Sequence, residues 1–285
     1  MVDFCHIAPT PLLQTFVNNQ TSHLLLAHLV EEDPKYYDFY RRYNSPYTTY
    51  ILDNSAFEMY KQGREMYPSD KLIQMGKMVG ADYIVMSDYP NEPGSKTIKA
   101  AERLAPLFRK EGFKTFFVPQ SEIGDIEDYI ATFAWAAASP LVDYIGVSIL
   151  GVPNAYGVEK DNKLQRYMSR FTMMLELQRR GILRLARLNG KKIHFLGMVD
   201  GPNEIQLCSC FDIDTWDSSA AIWAGLNDIA FDNSPTGLID GKYEEEVDFN
   251  YVTVDKVKID LAKSNMKYIN ELCEVYTNDK PEAAW

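Results

Sequence analysis

Eight short apolar runs are spread along this chain: FCHIA (4–8), HLLLAH (23–28), TYILD (49–53), DYIVMS (82–87), KTFFVP (114–119), DYIGVS (143–148), KIHFLG (192–197) and DIDTWD (212–217). Most are continuous rather than alternating. A strand with one wet face alternates with period two, so a continuous run marks a strand covered on both faces, as in a parallel sheet. Parallel neighbours need crossovers, and the intervening segments supply them. SDKLIQMGKMVGA (69–81) and KTIKAAERLAPLFRKEG (96–112) carry apolar residues at helical spacing, with Gly80 and Gly112 near the expected helix ends. Strand, helix, glycine, strand is the repeated unit. The pattern predicts an α/β chain folded as a (β/α)8 barrel, with a doubly wound sheet as the architectural rival. No linker or low-complexity stretch interrupts it, so one domain over 1–285 is expected. The barrel should span about 4–230, with a long insertion between the sixth and seventh runs. A C-terminal extension over 231–285 should include a last helix at 254–276.

Barrel enzymes place their working groups at the C-terminal ends of the strands. Those positions here are Asp53, Asp88, Gln120, Ser148 and Asp217, each directly after or within the end of an apolar run. Any one aspartate there could simply cap the next helix. Three of them with a glutamine on one mouth point to chemistry or ligand binding, because like charges held close raise one another's pKa. Two carboxylates flanking a labile bond can carry out glycosyl transfer: one attacks the anomeric carbon and the other moves the proton. That scheme uses no metal and no cofactor. GVSILG (146–151) lacks the G-x-S-x-G spacing of a serine elbow, and no glycine-rich phosphate loop is visible.

The formal charge of −11 argues against a protein that coats nucleic acid through its whole surface. Charge is uneven, however. Residues 160–192 carry +8, leaving −19 for the remainder. Such a run is either a solvated helix face or a phosphate-contacting surface. The four cysteines (Cys5, Cys208, Cys210, Cys273) are too scattered for a disulfide framework, which fits a reducing compartment. Cys208 and Cys210 could form half of a zinc site, but all four histidines precede them. No apolar run reaches 18 residues and the N-terminus lacks a signal layout, so a cytoplasmic protein with no membrane contact is expected.

In their order, these motifs resemble the tRNA-guanine transglycosylase superfamily. DNSAF (53–57) stands where that family has D-S-G-G-F, SDY with Asp88 where it has FDE, and VPQS with Gln120 where it has V-Q-G. IGVSILG (145–151), LGMVDGPNEI (196–205) and FDIDTWDSS (211–219) resemble its later motifs. The family's zinc module has no counterpart after Asp217, where one cysteine and no histidine remain. The chain is therefore most similar to the phage group that exchanges guanine in DNA for a 7-deazaguanine, a change that shields phage DNA from restriction. The resemblance implies Asp217 as nucleophile and Asp53 as general acid/base. It places Asp88, Gln120, Ser55, Gly146, Val147 and Ser148 around the base. Phosphate contacts would come from Arg166, Arg170, Arg179, Arg180, Arg184, Arg187, Lys191 and Lys192. The partners implied are guanine-containing DNA and a free 7-deazaguanine base, in the host cytoplasm for a phage protein. A zinc-less enzyme acting on tRNA and a non-catalytic base-binding barrel are the alternatives. Self-association is left open.

Overall fold

A computed structural model describes residues 2–198, 201–231, 236–237 and 246–278. It contains eight parallel strands: β1 (Asp3–His6), β2 (Ser22–Leu26), β3 (Thr49–Asp53), β4 (Tyr83–Val85), β5 (Lys114–Phe117), β6 (Tyr144–Ser148), β7 (Lys192–Leu196) and β8 (Thr215–Ser218). Their hydrogen-bonded order is β1-β8-β7-β6-β5-β4-β3-β2, and β1 and β2, at the two ends of that order, lie against each other. The sheet is thus a nearly closed (β/α)8 barrel and not a doubly wound layer. Each expected run holds one strand, but β4 and β5 stop early. Asp88 and Gln120 therefore sit on the loops beyond the strands.

Strand alternation divides the core into an interior and an outer layer. Inside, Phe116 stacks on Tyr144 with ring centroids 5.2 Å apart, and Tyr83 and His194 meet this pair edge-on. These aromatics plug the barrel below its mouth. Outside, Ile145, Val147, Phe195 and Trp216 are fully buried under the helices. At the opposite end, three aspartates that directly precede strands hold the amides of neighbouring strands. Asp82 accepts from Tyr50 N–H, Asp143 from Thr115 N–H and Asp214 from Ile193 N–H, at 2.7 to 2.8 Å. Each bond satisfies a strand-end donor and fixes the register of its pair.

The insertion between β6 and β7 is present as three helices, Gly151–Ala155, Lys163–Arg179 and Ile182–Leu188. Its positive charge is not a single surface, and this corrects the phosphate-contact expectation for four residues. Arg170 is fully buried: it forms a bidentate pair with Glu204 and donates to the carbonyls of Val147, Leu196 and Gly197. Its planar guanidinium lies over the adjoining rings of Phe195 and Trp216. Lys191 is buried with Nζ on the carbonyls of Ser139 and Val142. Arg187 pairs with Asp212 and Asp214 just before β8. Lys192 opens β7 and lies near the rings of Tyr83 and Tyr144. The last three belong to the end of the barrel away from the mouth. Arg179 and Arg180 are exposed but share Glu176, and Arg180 also reaches Glu127. Arg184 is exposed and Arg166 is half-buried.

The last helix, Lys256–Asn278, packs against the helix Ala220–Leu226 and against β1. The two helices approach closely at Gly225, where an added Cβ would lie 2.4 Å from the Ala262 backbone. Asn270 on that helix bonds the His6 ring at 3.0 Å, so the helix is part of the barrel wall. Among the described residues no helix is long and apolar enough to cross a membrane.

Candidate active site at the barrel mouth

Asp217 is the third residue of β8, pointing into the barrel. Its Oδ1 accepts two bonds, from His194 Nε2 at 2.9 Å and from the Gly197 amide at 3.2 Å. Oδ2 has no hydrogen-bond partner among the described residues, while 8% of the side chain stays exposed. One oxygen is anchored and the other is presented to the mouth. Register explains the histidine: His194 on β7 lies opposite Thr215 on β8, and Asp217 is two residues further along the same face. One imidazole therefore spans both, with Nδ1 2.5 Å from Thr215 Oγ1.

Asp53 ends β3, with two strands, β1 and β2, between it and β8 around the ring. It thus faces Asp217 from across the mouth. Its Oδ2 accepts the Ser55 amide at 2.8 Å, and the carboxyl is partly exposed. Desolvation first, then the charges of Glu58, Asp88 and Asp217, push its pKa well above the usual carboxylate range. Glu58, on the helix Ala56–Lys61, is also raised, chiefly by desolvation. Ser55 has φ of 55°, a left-handed conformation that turns the chain sharply after β3. Its hydroxyl is buried against the backbone N–H and ring Nδ1 of His28. Ser55 thus positions Asp53 through its amide, while its hydroxyl is engaged by His28.

Asp88 and Gln120 form a buried plate beyond β4 and β5. Gln120 Nε2 donates to Asp88 Oδ2 at 2.6 Å, and Asn54 Nδ2 donates to Asp88 Oδ1 at 2.8 Å. Desolvation raises the Asp88 pKa to about 6, against the lowering effect of these two amides. Gly151 lets the plate form: an added Cβ there would lie 3.2 Å from Gln120 Oε1. Gly146 is packed tightly inside the barrel: an added Cβ would meet Phe116 and Leu196 at 2.6 and 2.8 Å, so the volume beside it is filled by those two side chains. Val147, next along β6, points to the helix layer by alternation, so its side chain lies away from the base-binding place. Ser148 Oγ accepts the amides of Leu150 and Gly151 at 3.1 Å, which is the turn-capping role open to any strand-end serine.

The mouth thus collects Asp53, Asp88, Gln120 and Asp217 from four different strand ends. Sequence reading missed His194, Asn54 and Glu58. A histidine between Ile193 and Phe195 in an otherwise apolar strand was the available signal for the first. Asn54 and Glu58 gave no comparable sign, because their roles depend on which loops meet. Among the described residues no group of three or more His, Cys, Asp or Glu is arranged to hold a metal ion.

Fold and site together define a (β/α)8 barrel with a carboxylate cluster at its C-terminal mouth, one member protonation-prone and another anchored through one oxygen. No protein-family model matches the chain, and no curated protein matches it in sequence.

Proposed function

We propose that this barrel is a base-exchange glycosyltransferase that replaces guanine in DNA with a 7-deazaguanine through a covalent glycosyl-aspartate. One observation carries the reading: Asp217 presents a single unbonded oxygen to a mouth whose opposite side holds Asp53, a carboxyl with its pKa raised by its surroundings. Glycosyl transfer with retention needs this division between an ionised nucleophile and a protonated acid. Asp217 Oδ2 forms a bond to C1′ as the bond from C1′ to N9 breaks, and Asp53 gives its proton to the departing base. The incoming base then returns a proton to Asp53 as its nitrogen attacks C1′ and releases the Asp217 carboxylate. The plate of Asp88 and Gln120 suits the amide and N–H edge of a guanine-like heterocycle. Neither step calls for a metal or cofactor.

The target nucleotide must leave the stack to reach the mouth. Phosphate contacts fall to the exposed or half-exposed Arg166, Arg179, Arg180 and Arg184. The choice of DNA over tRNA rests on the resemblance described above. The test is mass spectrometry of nucleosides released from duplex DNA and from tRNA after incubation with the protein and a 7-deazaguanine base. Modified deoxynucleoside in wild type and none in Asp217→Ala is the expected result. Modified ribonucleoside alone would move the substrate to tRNA, and no product from either polymer would refute base exchange.

A further inference from the structure

We infer that His194 is the positioning residue of Asp217, and that Thr215 and Tyr144 behind it hold the imidazole as the neutral, Nε2-protonated tautomer. The inference deepens the glycosyl-transfer reading and, in its catalytic part, rests on it. Four polar groups form a chain through the barrel interior. Tyr144 OH lies 3.1 Å from Thr215 Oγ1, Thr215 Oγ1 lies 2.5 Å from His194 Nδ1, and His194 Nε2 lies 2.9 Å from Asp217 Oδ1. All four residues are buried: His194 has no exposed surface, and Tyr144, Asp217 and Thr215 as whole residues keep 1, 5 and 7%. Nothing else in the described residues competes for these atoms except the Gly197 amide on Oδ1.

The carboxylate end fixes the direction of every proton in the chain. Oδ1 is an acceptor, so His194 Nε2 must carry hydrogen. With a neutral ring, Nδ1 then accepts from the Thr215 hydroxyl, and Thr215 Oγ1 accepts from the Tyr144 hydroxyl. Every hydrogen has an acceptor and every interior lone pair that needs a donor has one. With a doubly protonated ring Nδ1–H donates to Thr215 Oγ1, and one hydroxyl hydrogen, that of Thr215 or that of Tyr144, is left with no acceptor in the described interior. An unsatisfied buried polar group is costly, so the packing selects the neutral arrangement.

This arrangement bears on the reaction at Oδ1, the oxygen that does not attack. In the glycosyl ester Oδ1 is a carbonyl oxygen and a weaker acceptor. When C1′ leaves Oδ2, full carboxylate charge returns, and the His194 and Gly197 donors bond it more strongly. They therefore assist release of the intermediate to the incoming base more than its formation. The imidazole keeps its proton throughout; it orients and stabilises, and Asp53 alone moves protons.

Two measurements test the inference. Long-range proton–nitrogen NMR of imidazole-labelled wild-type protein, with no substrate present, reads the tautomer directly. A neutral ring protonated at Nε2 is expected for His194, with the assignment made by loss of the signal in His194→Gln. A ring protonated at Nδ1, or at both nitrogens, overturns the inference. In the exchange assay, His194→Leu should lower kcat by roughly 100-fold with KM for the free base little changed, the size seen when one preorganised donor is removed. The covalent intermediate should accumulate, and His194→Gln, which restores an N–H donor, should recover about 10-fold of the loss on the same scale. Equal losses in both variants, or a fall in kcat without accumulation, would show a merely structural histidine. Absence of exchange by the wild-type protein would sink the proposed function instead, and the NMR result would still decide the placement of the proton.

Discussion

Replacing Arg170 with methionine keeps the length of the side chain and removes the guanidinium from the buried site. The cost can be located atom by atom. Of the three carbonyls, those of Leu196 and Gly197 each keep another donor, Ile149 N–H and Trp216 Nε1–H, and that of Val147 loses a long bond of 3.2 Å. The loss therefore concentrates on Glu204, a carboxylate about 1% exposed that forfeits two charge-assisted bonds of 2.6 and 2.7 Å. Removing one partner of a buried pair costs about 3–5 kcal/mol. Protonation of Glu204 limits that figure. Bringing an ordinary glutamate carboxyl to its neutral form at pH 7 takes roughly 4 kcal/mol, and this falls by about 1.4 kcal/mol for each pH unit below 7. Urea unfolding at pH 7 and pH 5 should show Arg170→Met destabilised by about 3 kcal/mol at pH 7 and by distinctly less at pH 5. The double variant Arg170→Met with Glu204→Gln should recover most of the loss. A cost below about 1 kcal/mol at pH 7, the range of exposed pairs, or one equal at the two pH values, would refute the account of Arg170 as an internal cation.

Asp88 has its pKa raised to about 6, so it is ionised above that value. Affinity for a guanine-like base, measured calorimetrically, should fall as pH drops through about 6 and lose this dependence in Asp88→Asn. His6 is buried, and desolvation lowers its pKa to about 4. An unfolded histidine takes up a proton near pH 6.5, so the folded state is favoured above that value and loses about 3 kcal/mol as pH falls to 4. The stability gap between wild type and His6→Gln should therefore shrink by that amount between these pH values; a constant gap would exclude a buried neutral His6. Gly146→Ala should lower stability in urea unfolding by about 1–3 kcal/mol through overpacking against Phe116 and Leu196. In salt titrations of DNA binding, Arg166→Ala with Arg184→Ala should flatten the slope by about one unit per lost contact. Lys191→Ala should leave the slope unchanged, and equal slopes for all three would remove the outer helices from the interface.

The barrel was legible in sequence because its strands are covered on both faces. Ile51, Leu52, Ile84, Phe117, Ile145 and Phe195 are all fully buried, and a strand with no wet face has little room for polar residues. The strand ends were legible for the same reason, since a carboxylate at the end of such a run stands out. The basic run was misleading because charge in a linear sequence carries no direction. Arg170 and Arg166 are four residues apart on one helix, yet one is fully buried and the other only half-buried. Helical geometry alone could not say which, because the buried acceptor, Glu204, comes from a different element, the short helix Glu204–Leu207 after β7.

The amino-acid sequence by itself determined the repeating strand-and-helix unit, the eight strands, and the set of acidic residues at their ends. These are local properties, written in apolar runs and in the residues that stop them. Tertiary structure alone decided what each acid can do. Asp53 and Asp217 are 164 residues apart in the chain and meet only when β1 and β2 close the ring between them. His194 reaches Asp217 only because register sets it opposite Thr215. Protonation and nucleophilicity depend on neighbours, dielectric and donor geometry, and those exist only once the barrel has closed.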